Sequence, residues 1–174
     1  ITYIKQEAPA GTGNNSGRAA IFDGKFYVPF GYSTALFREL TSVNAHLTYK
    51  LFTYDAGAAG WTDNTTEARS AAGVAFNIVN NGAVGDIAYF AASADDSTSV
   101  NFDALYVNLS TMGIGGTIVW EYWNGAWVAL TVTDGTSSFT SDGDVTWTAP
   151  ADWVATTVNG TSARWVRARV SVLF

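Results

Sequence analysis

Residues 117–130 read TIVWEYWNGAWVAL. The first half, Thr117-Ile-Val-Trp-Glu-Tyr-Trp123, is rich in β-branched and aromatic side chains, which suit a pleated, half-buried surface. Asn124-Gly125 follows. Asn and Gly tolerate the positive φ that tight hairpin turns demand, so this dipeptide is a strong hairpin signal. Residues 127–132 then run back as a second strand. Outward from this hairpin the pattern repeats. Asp134-Gly135 turns the chain again, and Val145-Thr-Trp-Thr148 is a strand that ends at Pro150. Residues 164–174 give the last strand. Upstream, residues 74–79, 86–91 and 102–109 read as strands, separated by Asn80-Asn81-Gly82 and by the polar stretch 93–99. Turn signals recur every 8–12 residues or so, the spacing of sandwiches and barrels. The predicted fold is all-β: an antiparallel β-sandwich, jelly-roll-like.

The N-terminal half fits the same scheme. Residues 1–18 form an arm, because Pro9, Gly11, Gly13 and Gly17 suit neither helix nor strand. Residues 19–174 are expected to make one sandwich domain. Asp23-Gly24 marks a hairpin over residues 19–30. Residues 33–40 give either a helical turn capped by Ser33 or Thr34, or a strand. Over residues 46–54, Leu47, Tyr49, Leu51 and Thr53 alternate with His46, Thr48, Lys50, Phe52 and Tyr54. A loop over residues 55–60 leads into Trp61. Tyr54 to Trp61 faintly echoes Tyr122 to Trp127; two related hairpins, one in each sheet, are one reading, and convergence of hairpin chemistry is the stronger one. Ile1 is not an initiator Met, which points to a processed chain, a fragment, or numbering from a later residue.

Composition excludes several classes. Of 174 residues, 48% are hydrophobic and only 14% charged, so the chain is not of the disordered type. Net charge is −6, with three arginines near the end as the sole basic cluster, so neither nucleic acid nor an anionic membrane is an expected partner. No apolar run approaches the roughly 18 residues of a membrane helix. No secretory leader pattern is present. Cysteine is absent, so disulfides and thiolate metal sites do not arise.

Trp123 and Trp127 lie near one another across the Asn124-Gly125 hairpin. As exposed rings they could stack on a sugar; as core-capping rings they pair across strands, and this plainer reading is the stronger. On the last strand Trp165, Arg167 and Arg169 share one face, with Val166, Ala168, Val170 and Val172 on the other. The valine face should be core. The arginines should meet Glu121 on a neighbouring strand, or a partner subunit. Asp95-Asp96, Asp134, Asp142 and Asp144 could offer oxygens to calcium, but no EF-hand spacing is present and solvated loops are the simpler account. His46 is the only histidine and has no nucleophile-elbow motif to serve. Asn-x-Ser/Thr occurs at Asn14, Asn64, Asn108 and Asn159. No catalytic residue, metal or cofactor is expected.

A longer ordered series runs from about residue 85 to 172. It comprises Gly85-Asp-Ile-Ala-Tyr-Phe90, Phe102-Asp-Ala-Leu-Tyr106, Val119-Trp-Glu-Tyr-Trp-Asn-Gly-Ala-Trp127 and Asp134-Gly-Thr136. It continues with Phe139-Thr-Ser-Asp-Gly143, Val145-Thr-Trp-Thr-Ala-Pro150, Asp152-Trp153 and Trp165-Val-Arg-Ala-Arg169. This series resembles a module of tailed-phage structural proteins, some of them baseplate-associated. The resemblance implies a non-enzymatic virion protein at the particle surface, first a capsid decoration protein, then a tail, baseplate or head-fibre domain. Its implied partners are major capsid or tail proteins, with homo-oligomerisation expected. The alternative is a carbohydrate-binding module for host glycans, which predicts exposed coplanar rings among Trp61, Trp123, Trp127 and Trp153. A glycan-degrading enzyme is the weakest reading.

Overall fold

The computed structural model describes residues 20–22, 25–27, 36–37, 48–69, 74–80, 82–93 and 99–174, with side chains from Tyr49 onward. Three short strands come first: β1 (Ala20–Phe22), β2 (Lys25–Tyr27) and β3 (Leu36–Phe37). Next are β4 (Thr48–Asp55), β5 (Gly60–Asp63) and a single-turn helix α1 (Thr65–Arg69). The middle gives β6 (Ile87–Ser93), β7 (Ser99–Val100) and β8 (Ala104–Val107). The last third gives β9 (Thr117–Trp123), β10 (Trp127–Ala129), β11 (Thr133–Asp134), β12 (Gly143–Thr146), β13 (Thr156–Val158), β14 (Thr161–Ala163) and β15 (Trp165–Val172).

All the strand pairs among the described residues are antiparallel. The large sheet has the order β10-β9-β15-β6-β4-β5, with β7 also on β6. The small sheet has the order β11-β12-β8-β3. Alternation along each strand sends one set of side chains between the sheets. From the large sheet come Leu51, Ala88, Phe90, Ile118, Trp120, Val166, Ala168 and Val170; from the small sheet come Leu105, Val107 and Val145. Phe102, Trp147 and Trp153 join the same core, with ring centroids 5.2–5.3 Å apart. The antiparallel sandwich read from the sequence is therefore the architecture formed.

Several local expectations change. The two hairpins that echo one another, β4–β5 and β9–β10, lie at opposite edges of one sheet, not in two sheets. Residues 74–79 form no strand; Phe76, Ile78 and Val79 instead pack against the core from an irregular segment. Within residues 33–40 the strand alternative holds, because Leu36 and Phe37 pair with Tyr106 and Leu105. Val172 leaves the valine face: a register shift after Val170 turns it outward, 52% exposed. The hairpin β13–β14 was not anticipated. The arm, His46, Asn14 and Asp95-Asp96 lie outside the described residues.

The end of the last strand is held by a close fit. The Phe174 ring rests on Gly82, Gly113 and Gly116, where added Cβ atoms would come within 2.8, 2.4 and 2.4 Å of it. The Phe174 N–H donates to the Gly82 carbonyl at 3.2 Å. Gly116→Ala is expected to displace the ring and destabilise by about 2 kcal/mol, the scale of overpacking. In a Phe174→Ala background the same change should cost little. Urea unfolding of the four variants of that cycle measures the coupling.

Candidate functional site

The outer face of the large sheet gathers most of the residues singled out by the sequence. Register explains why. Phe52, Tyr89, Arg167 and Glu121 lie side by side on β4, β6, β15 and β9. Trp127 pairs directly with Trp123, and Trp61 with Tyr54, at the two edges of the sheet. The edge rings lean inward until they meet at the middle strand. Centroid distances run 5.4 Å from Trp123 to Trp127, 5.6 Å to Tyr89, 5.3 Å to Trp61 and 5.0 Å to Tyr54. A continuous aromatic strip thus crosses the sheet at an angle to its strands.

The strip is unevenly covered. The β13–β14 ribbon closes over one end, where Val158 and Ala163 pack with Ala91, Phe52 and a fully buried Trp165. Asn159 and Gly160 both take positive φ, 43° and 79°, as a tight two-residue hairpin turn requires. Tyr89 is buried at the centre, Tyr54, Trp123 and Trp127 are half-buried, and Trp61 is exposed.

An ion group sits beside the rings. Arg167 Nε donates to Glu121 Oε2 at 2.7 Å. Arg169 donates from Nε to Oε2 at 3.1 Å and from Nη2 to Oε1 at 3.3 Å. Arg167 also lies 4.2 Å above the Trp127 ring, in cation–π contact. Burial pushes the Glu121 carboxyl up, but the hydrogen bonds and charges of Arg169 and Arg167 together outweigh it and hold it below its ordinary value. Burial raises the Tyr89 phenol, with Arg167 opposing. Glu121 is therefore a committed counter-ion rather than a group poised to move protons.

A depressed carboxyl pKa has a fixed consequence for stability. In acid the unfolded chain takes up the proton first, so the contribution of Glu121 is complete above the ordinary glutamate value. It is lost as pH falls through the lower folded value. Glu121→Gln should destabilise by about 2 kcal/mol at neutral pH, because the largely buried Arg167 and the half-buried Arg169 lose their counter-charge. It should also flatten the acid limb of the stability curve. Urea midpoints against pH for both proteins check this.

The structure thus brings together Trp61, Trp123, Trp127, Arg167 and Arg169, and leaves Trp153 out. Trp153 is 3% exposed, packs on Phe102, and donates from Nε1 to the Trp165 carbonyl at 3.2 Å. It belongs to the core because residues 152–154 strap the end of β9: Tyr122 Oη and Asn124 Nδ2 each donate to Asp152 at 2.9 Å, and Val154 N–H donates to the Trp123 carbonyl at 3.1 Å. Bonds from Asn124 and Tyr122 lower the Asp152 carboxyl, and Asp152 in turn raises the Tyr122 phenol. Nor are the surface rings coplanar: Trp123 and Trp127 stand at 69°, Tyr54 and Trp61 at 54°. Tyr89 was missed as the centre of the strip. Its pairing with Arg167 could not be known before the register was.

The aspartates raised as calcium candidates have other settings. Asp134 accepts bonds from Thr136, Ser138 and Trp120, and Asp142 accepts the Leu109 N–H at 2.6 Å. Asp144 is exposed. No group of three or more metal-ligating side chains occurs among the described residues. A cavity of about 360 Å³ beside Phe174 is lined by such residues as Phe76, Ile78, Leu109 and Met112, with no titratable side chain among them. No family model, no curated protein and no solved structure matches the chain.

Proposed function

We propose that the chain is a non-enzymatic structural module of a tailed-phage particle, carried on the particle surface as a capsid decoration protein, with the outer face of its large sheet as a contact surface for a neighbouring subunit. The observation that carries this reading is the composition of that face. Trp61, Trp127, Tyr89, Arg167 and Arg169 are of the residue types that anchor protein interfaces. They cluster at one place, and the carboxylate among them is already neutralised by two guanidiniums. The resemblance of the series over residues 85–172 supplies the virion. Its polar members hold the fold: Asp86 accepts the Ala56 and Ala83 N–H groups, Asp134 stabilises a turn, and Asp152 ties the β9–β10 hairpin to the chain beyond Pro150. A tail, baseplate or head-fibre position fits the same face.

A second reading rests on Trp61, which at 42% exposure leaves a large ring open to a sugar. The tilt between neighbouring rings weighs against it, since a flat sugar chain stacks best on parallel planes. Quantitative mass spectrometry of gradient-purified particles tests the first reading. The chain should be present at a fixed copy number per particle through repeated banding. Recovery only in the soluble fraction would sink it.

A further inference from the structure

We infer that this face receives the opposite face of a second copy, so that the sandwiches associate front to back. The inference rests on the reading of the outer face as a contact surface and does not need the phage. The two outer faces differ in charge. On the front, Arg167 and Arg169 share the carboxylate of Glu121, which among the described residues leaves one positive charge uncompensated at the centre of the aromatic strip. Lys50 and Asp63 add one charge of each sign towards the β4–β5 edge of the same face.

The back is the outer face of the small sheet. On β12, Val145 is fully buried, so alternation turns Asp144 outward, where it is exposed and paired across the strands with half-buried Tyr106. Asp142, just before β12, is exposed as well. Residues 99–163, which supply β8, β11 and β12, contain no Lys or Arg. The described part of the back is thus acidic, with a ring beside its carboxylates.

These two surfaces complement each other. A guanidinium fork binds a carboxylate well, and Trp61 and Trp127 offer apolar area around it. Front against front would oppose arginine to arginine, and like charges across an interface disfavour that arrangement. Contact between two different patches is heterologous. It closes into a ring or continues as a column, rather than stopping at a two-fold pair.

Sedimentation velocity of the purified chain over a range of concentrations tests this. Wild-type protein should form species larger than a dimer that dissociate as salt is raised. Asp144→Arg and Arg169→Glu should each weaken association by about tenfold, the low end of measured couplings for close charge pairs. An equimolar mixture of the two variants should recover part of it, because each restores an opposite-charge contact with the other. Arg169 also holds Glu121, so Trp61→Ala, at an exposed ring outside the ion group, serves as a second front-face variant and should weaken association too. A monomer at every concentration would overturn the inference, as would association indifferent to Asp144→Arg and Trp61→Ala. A monomer that is nonetheless found at fixed copy number on particles overturns front-to-back association alone. A chain that associates as expected but is absent from particles overturns the virion reading alone.

Discussion

Trp165→Ala is expected to lower the unfolding free energy by about 4 kcal/mol, the cost of emptying a buried tryptophan site. Trp165 is completely buried although it lies on the outer face of the large sheet. Its ring packs 5.2 Å from Phe52 and meets Tyr89 edge-on at 6.4 Å. Its Nε1 donates to the Thr161 carbonyl at 3.3 Å, and its own carbonyl accepts Trp153 Nε1. Removing the ring leaves a cavity under the β13–β14 ribbon. It also removes a wall from Tyr89, through which Trp61 and Trp127 are linked. Two changes should therefore appear together: a lower urea midpoint and loss of near-ultraviolet circular dichroism from the coupled rings. A cost below about 1 kcal/mol would mean that the ribbon collapses into the gap, and that the outer face is not organised around Trp165.

Asp134→Ala is expected to cost about 3 kcal/mol, for a different reason. Ser137, Ser138 and Phe139 all have positive φ, 52°, 62° and 64°. Each left-handed non-glycine residue costs roughly 1–2 kcal/mol, so a run of three persists only when tightly held. Asp134 does much of the holding. Its Oδ1 accepts the Thr136 N–H at 2.8 Å and the Thr136 hydroxyl at 2.6 Å. Its Oδ2 accepts the Ser138 N–H at 3.1 Å and Trp120 Nε1 at 3.4 Å. Phe139, 2% exposed, plugs the turn into the core against Trp120, and its carbonyl accepts the Gly113 N–H at 2.8 Å. The alanine variant strands the fully buried Thr136 and releases the strained turn. Asp134→Asn keeps one acceptor oxygen and should cost about half as much. Thermal unfolding of both variants measures the difference. Equal costs would show that the charge, rather than the acceptor geometry, carries the effect.

The sequence made the scaffold legible where local chemistry and pairing agree. The β9–β10 hairpin is encoded by β-formers around Asn124-Gly125, although the Trp123–Trp127 register makes its loop three residues long. On β15 the alternation of Val166, Ala168 and Val170 against Arg167 and Arg169 fixed both faces, and Glu121 was the right partner for the arginines. Alternation says which residues share a face. It does not say whether that face is covered, so Trp165 reads from sequence as a surface ring alongside Arg167. The covering element, β13–β14, carried a usable signal in Asn159-Gly160, but its flanking strands of three residues are too short for periodicity to register. Residues 74–79 show the converse failure: apolar residues with no hydrogen-bonded strand beside them among the described residues. Trp153 entered as one of the rings that a glycan site would expose, and the strap through Asp152 places it inside. The aromatic strip itself joins five residues from five strands. It becomes visible only once β5, β4, β6, β9, β10 and β15 are in one sheet.

The most direct test of the central claim is a cryo-electron microscopy reconstruction of the phage particle proposed to carry the chain, at a resolution that shows side chains. The account predicts the sandwich at symmetry-related positions, with Trp61, Trp127 and Arg169 buried against a neighbouring subunit. A reconstruction in which that face looks out to solvent while another surface makes the contact would contradict it.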